Sequence, residues 1–295
     1  MIPIVFSKDQ LVSAKTAPFG GLKPQQVSNL ALAESWNQVH EYYPATMNDL
    51  TRVHDEEYVQ GILYGKTKNG FGTKDSEDNR AIRFTVGNFL EAVRIATNPE
   101  KVVIGPKGIA YSLTSGFHHA GHSYGWGYCT FNALMIAASM FHDKNPDAMI
   151  LVLDGDAHFG DGCVDIIDRC KMDYVEYVSV AGHKVSDYIN NLRKITDRIN
   201  YKEFGLVLYQ PGADSLAGDT YHAGTLTLKE FRFRDELVFW AAKNSGTPIV
   251  FNLAGGYGAP TEKDTVMAHY YTWTTACDIY IGKLEQDLLP DTPGL

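Results

Sequence analysis

The segment Asp154-Gly155-Asp156-Ala157-His158 puts an ionisable group at every second position. In an extended chain that alternation brings Asp154, Asp156 and His158 to one side. They follow the apolar run Ile150 to Leu153, and like carboxylates crowded at the end of a buried strand repel unless a cation lies among them. A metal ion is the natural resident. Asp214, in Gly212-Ala213-Asp214 after the apolar Leu206 to Tyr209, offers a third ligand from a neighbouring strand end. Two carboxylates and one imidazole leave a coordination position open, as catalytic sites do, and the lack of thiolates excludes a structural cysteine site. Oxygen and nitrogen donors suit zinc or iron(II) alike.

Two further clusters can complete such a site. Ser115-Gly116-Phe117-His118-His119-Ala120-Gly121-His122 holds adjacent histidines, a weak signal alone but a useful one where acids remain as partners. Ser123-Tyr124-Gly125-Trp126-Gly127-Tyr128-Cys129 follows, rich in glycine and aromatic residues. Phe117, Trp126, Tyr128 and the later Tyr221 are candidates for the walls of a narrow channel. In Gly255-Gly256-Tyr257 a phenol follows a flexible glycine pair, placed to swing onto a developing oxyanion.

These clusters need strands to deliver them. Apolar runs recur at Ile2 to Phe6, Met149 to Leu153, Val175 to Val180, Gly205 to Tyr209 and Pro248 to Leu253. Helical periodicity marks Gln25 to Val39, Asn79 to Ala96, Phe131 to Phe141, Val185 to Ile199, Lys229 to Lys243 and Lys263 to Leu288. Buried runs alternating with helices predict a mostly parallel sheet covered on both faces, a three-layer α/β/α sandwich. Carboxyl ends of parallel strands line the ligand crevice, so the clusters after Leu153, Tyr209 and Leu253 should converge. Gly65 to Asp78 reads as a surface loop and the tail from Pro290 as frayed. With no internal repeat and no linker, residues 1–295 are expected to form one domain.

Composition narrows the partners. Apolar residues at 44% and charged residues at 21% suit a globular chain with a substantial core. A net charge of -9 argues against a surface built to neutralise phosphates, so direct nucleic-acid binding is not expected. Cys129, Cys163, Cys170 and Cys277 are too sparse for a disulfide scaffold and should be reduced. Met1 to Ser7 lacks the basic and long apolar regions of a signal peptide, and no apolar run approaches the ~20 residues that span a bilayer. A soluble, cytoplasmic protein without a membrane partner is expected; no feature specifies an oligomeric state.

The motifs, in order, resemble the histone deacetylase and acetylpolyamine amidohydrolase family of bacterial type, within the arginase/deacetylase superfamily. They are His-His-Ala with Gly127-Tyr128-Cys129, Asp-x-Asp-x-His-x-Gly-Asp-Gly at 154 to 162, Gly-Ala-Asp-x-x-Ala-Gly-Asp at 212 to 219, and Gly-Gly-Tyr at 255 to 257. The resemblance runs from about His54 to Tyr257. It implies an arginase/deacetylase-like fold and Asp156, His158 and Asp214 as zinc ligands. It pairs His118 with Asp154 and His119 with Asp161, and it makes Tyr257 the donor to the substrate carbonyl. The activity implied is hydrolysis of an acylated amine, small-molecule or peptidyl: acetyl-lysine, an acetylpolyamine or a small acylated metabolite. His119 is favoured as proton shuttle, with His118 a charged orienting partner. Gly127, Tyr128, Phe117 and Tyr221 are the implied substrate contacts.

Several positions depart from the family. After His183-Lys184 an aromatic, Pro-Gly-rich loop is replaced by Val185-Ser186-Asp187-Tyr188, which opens the tunnel. Lys23-Pro24-Gln25-Gln26 stands where an arginine- and proline-containing motif is expected. Glu56 is the best match to a rim acid, and equally a helix-start charge. A structural potassium ion would use Asp154 and the carbonyls of Asp156 and His158, yet Ala181 replaces a serine ligand. Two rivals remain. A binuclear manganese ureohydrolase of the same fold would need further ligands where Gly155 and Phe159 stand. A catalytically silent acyl-ligand binding protein would not need the full set of ligand, base and oxyanion candidates that this chain carries.

Overall fold

Seven short strands, all paired in parallel, form one sheet in the computed structural model of this chain, which describes residues 1–33, 39–40, 42–102, 105–181, 184–221, 224–258 and 261–283. The strands are β1 (Ile4–Val5), β2 (Val39–His40), β3 (Ile109–Ser112), β4 (Ile150–Asp154), β5 (Val175–Ser179), β6 (Leu206–Gln210) and β7 (Ile249–Phe251), in the order β2-β1-β3-β7-β6-β4-β5. The helices are α1 (Lys23–Ala33), α2 (Met47–Leu50), α3 (Glu56–Leu63), α4 (Ser76–Thr97), α5 (Ala133–His142), α6 (Asp161–Cys170), α7 (Val185–Asn200), α8 (Leu228–Ser245) and α9 (Glu262–Tyr280).

Side-chain alternation builds the two cores. Leu151, Leu153, Val207, Tyr209 and Phe251 join the core made with α1, α7, α8 and α9. Their neighbours Ile150, Val152, Leu206, Leu208 and Val250 join the core made with α3, α4, α5 and α6. Apolar residues at every position of β4 and β6 up to Leu153 and Tyr209 therefore reflect a sheet buried on both faces, and the three-layer α/β/α expectation holds. Among the described residues no helix is long and apolar enough to cross a membrane.

Several boundaries differ from the sequence expectation. The helix expected over Gln25 to Val39 is α1, Lys23–Ala33, and Val39–His40 pairs with β1 as a strand, because two residues carry no periodicity to distinguish the states. The helix expected to reach Leu288 gives way at Gly282, where φ is 77°; residues 284–288, the tail from Pro290 and His183 lie outside the described residues. β3, α2, α3 and α6 are additional. Asp161 to Cys170 hid its helix behind a start that reads as loop, with no side-chain cap.

In the order β3-β7-β6-β4, four adjacent strands deliver their carboxyl ends to one edge. β4 leads to Asp154, β6 to Asp214, β7 to Tyr257 and β3 to the paired histidines.

Candidate active site

At this edge Asp156, His158 and Asp214 each turn one ligand atom inward, and these atoms lie within 4.8 Å of one another. His158 Nδ1 is 3.1 Å from Asp156 Oδ1 and 3.0 Å from Asp214 Oδ2. Both carboxylates are buried, and backbone amides hold them: Ala157 N–H donates to Asp214 and Gly255 N–H donates to Asp156. Gly255 has to be glycine, because a Cβ there would stand 2.1 Å from Asp214 Oδ2 and 2.5 Å from Asp156 Oδ2. Burial, then the charge of Asp156, pushes Asp214 up to about 7. Hydrogen bonds to Asp156 and Asp214 raise His158 to about 10 against its burial. A set that demands positive charge this strongly, built from two carboxylate oxygens and an imidazole nitrogen, fits a divalent metal ion.

Two carboxylate-paired imidazoles face this set. His118 Nδ1 is 2.7 Å from Asp154 Oδ2, and His119 Nδ1 is 2.6 Å from Asp161 Oδ1. The carboxylates accept, so each ring carries its proton at Nδ1 and presents Nε2 to the site. Burial alone would depress His118, yet Asp154 and Asp156 outweigh it and raise His118 to about 9. Burial, then the charge of His118, lowers His119 against the pull of Asp161. At neutral pH His118 is therefore cationic and His119 neutral. The ring centroids are 4.1 Å apart.

Tyr257 closes the remaining side. Its ring lies 6.4 Å from that of His158, and its backbone N–H donates to Asp219 Oδ2 at 2.7 Å. Burial, then Asp156 and Asp214, pushes the phenol up, so it keeps its proton as a donor. The strap that carries it passes through left-handed backbone at Ala254 (φ 57°) and Gly256 (φ 125°).

The cavity reaching Asp156 and His118 is lined by Phe117, Gly127, Tyr128 and Tyr257 among others. Tyr221 is not among its lining residues; it is 63% exposed and edge-on to Tyr257, with ring centroids 5.0 Å apart. Glu56 is exposed on the first turn of α3 and accepts from Gln60 Nε2, as the helix-start reading describes; it is not among the residues that line the cavity. Asp154 accepts from Asp156 N–H, Gln210 Nε2, His118 Nδ1 and the Tyr177 hydroxyl, and Ala181 offers no oxygen on its side chain. A potassium ion there would have to share the Asp154 carboxylate with these four donors and rest otherwise on backbone carbonyls.

Two contributors carried no signal in the sequence and a third only a hint. Tyr177, on the edge strand β5, donates to Asp154 Oδ2 at 2.7 Å, and Gln210 reaches the other oxygen. Lys23 is buried, and its ammonium donates to Ala254 O at 2.7 Å and lies 3.5 Å from Gly256 O. Burial draws it down to about 8 against the attraction of Asp214 and Asp156. Its position where a family arginine is expected was the only hint.

A parallel sheet with helices on both faces and this pocket at its carboxyl edge places the chain among the three-layer α/β/α sandwiches. The family model of the histone deacetylase domain matches residues 23–188, more than half of the 295. An uncharacterized protein of Picosynechococcus sp. is 24% identical over 94% of this chain and 99% of its own length. Histone deacetylase 2 of Arabidopsis thaliana is 24% identical over 87% of this chain and 74% of its own. Acetoin utilization protein AcuC of Bacillus subtilis is 30% identical over 40% of this chain and 32% of its own. The crystal structure of the HDA15 HD domain matches with a TM-score of 0.73 and 17% identity, over 95% of this chain and 88% of that one, a likeness of fold. The chain belongs to the histone deacetylase family, which supports a deacetylase or amidohydrolase activity.

Proposed function

We propose that this chain is a zinc-dependent deacetylase that hydrolyses an acylated amine, with acetyl as the acyl group, and that Asp156, His158 and Asp214 hold the ion. The observation that carries this reading is the meeting of those three ligand atoms beside two imidazoles, each paired through Nδ1 with its own carboxylate. Among the described residues one such ligand group converges, which favours a single ion over the two-manganese arrangement of a ureohydrolase. When bound, such an ion polarises the amide carbonyl and brings the pKa of a water towards ~7.

The chain's own residues supply the rest. His119 is neutral and oriented by Asp161, so its Nε2 takes the proton of the attacking water and returns it to the leaving amine. A C–O bond forms, the C–N bond breaks, and the products are a carboxylate and a free amine. His118, held cationic by Asp154, keeps positive charge beside the developing oxyanion, and Tyr257 donates its hydroxyl hydrogen to that oxygen. Phe117, Gly127, Tyr128 and Tyr221 flank the acyl-amine chain. The four free cysteines suit a reducing compartment such as the cytoplasm.

The test is a hydrolysis screen over acyl-lysine peptides, acetylpolyamines and acetylated amino acids, with zinc and with iron(II). We expect turnover that chelator abolishes and one metal per chain, lost in Asp214→Ala. Stoichiometric metal in that variant, or no hydrolysis of any acylated amine by the wild type, overturns the reading.

A further inference from the structure

The two histidine–carboxylate pairs are protected by different means. The side chains of His118 and Asp154 are 4% and 0% exposed, enclosed by the sheet. Asp161 opens α6 and is 39% exposed, so water competes for its oxygens. One oxygen meets His119 Nδ1; the other accepts the indole N–H of Trp126 at 3.0 Å. The same indole lies on the imidazole of His119, with ring centroids 4.2 Å apart. Trp126 is itself 51% exposed, while the cavity wall is formed by Phe117, Tyr128 and Tyr257.

A tight turn fixes the indole there. Cys129 N–H donates to Trp126 O at 2.9 Å, and the two residues between them are left-handed, Gly127 at φ 55° and Tyr128 at φ 65°. A Cβ on Gly127 would come within 2.7 Å of His119 Cδ2, so the turn lies against the edge of the imidazole. An indole is a donor only and cannot compete for the His119 proton.

Resting on the deacetylase reading above, we propose that Trp126 is the positioning residue of the outer pair: its N–H holds the second oxygen of Asp161 and its ring covers His119, fixing the imidazole for proton transfer. Sequence alone made Trp126 a channel wall; its contacts make it a buttress. Mispositioning a general acid–base forfeits part of its contribution, so Trp126→Leu should lower kcat on the order of 10-fold or more, and Trp126→Phe, which keeps a ring but lacks the N–H, by roughly 3-fold. KM and metal content should stay near wild type in both.

Two readouts separate positioning from mere folding. In an Asp161→Ala background Trp126→Phe should cost less than about 2-fold, because the oxygen that accepts the indole N–H is gone. In proton NMR of the holoenzyme, Asp161→Asn identifies the downfield His119 Nδ1–H resonance; Trp126→Phe should move that resonance and leave the His118 one in place. An unmoved resonance, an unchanged kcat in Trp126→Leu, or an effect confined to KM overturns the proposal. A wild type that hydrolyses no acylated amine sinks the deacetylase reading instead, and the resonance still decides what Trp126 does to the pair.

Discussion

His118 and His119 are chain neighbours with opposite electrostatic fates, and the difference comes from their carboxylates. Asp154 is buried at the end of β4 and Asp161 sits at the open start of α6. The cationic state of one ring lowers the proton affinity of the other. His119→Ala should remove nearly all turnover and keep the metal. His118→Ala should be milder and should move the acid limb of kcat/KM to higher pH, because loss of a positive neighbour lets His119 hold its proton more firmly. Profiles of both variants with metal content check this; a limb that moves to lower pH, or a deader His118 variant, would reverse the two roles. At this scale much was legible. Residue type and spacing alone brought Asp154, Asp156, His158 and Asp214 to one metal site, and family resemblance chose Asp156 over Asp154 as the ligand and paired the histidines. Tyr177, Gln210 and Lys23 were not legible, because each contributes through a contact across the sheet or under a loop that no local spacing encodes.

Among the elements, the strap from Ala254 to Tyr257 does the most to shape the site. It gives an amide to Asp156, turns twice through left-handed backbone and ends on the phenol. The Lys23 ammonium pins it from beneath through Ala254 O, reaching also towards Gly256 O, and lies 5.9 Å from the Tyr257 ring centre. Loss of one oxyanion donor costs on the order of 100-fold in kcat, so Tyr257→Phe should show that loss with metal and fold intact. Lys23→Met should reach part of it by loosening the strap, and in the Tyr257→Phe background should add little. A Lys23→Met cost equal in both backgrounds would separate Lys23 from Tyr257. Long periodic elements such as α4, α7 and α8 were legible within a few residues of their ends. β2, β3 and α6 were not, since pairing partners and first-turn contacts, not local pattern, define them.

Across the whole molecule, the histidine-bearing loop is tied to the helical layer by a residue that plays no part in the chemistry. His54, buried just before α3, has its Nδ1 2.9 Å from Gly121 O, while its Nε2 accepts from Asn132 N–H, the residue that caps α5. Both bonds require a neutral ring, with a proton at Nδ1 and a lone pair at Nε2. Burial draws His54 from 6.5 down to about 4, against hydrogen bonds to the Gly121 and His122 backbone that would raise it. Below pH 6.5 the unfolded chain binds a proton that the folded chain refuses. This contribution is therefore complete above the unfolded value and is lost as pH falls from about 6.5 to about 4, in total roughly 3 kcal/mol. His54→Gln should lower stability near pH 7.5, where a buried hydrogen bond is worth on the order of 1 kcal/mol, yet give a flatter stability curve between pH 6.5 and 4.5. Urea midpoints of the two proteins at several pH values make the comparison, and carboxylates and the buried His269 are common to both. Parallel curves would show that His54 is not the group through which mild acid loosens the loop carrying His118 and His119.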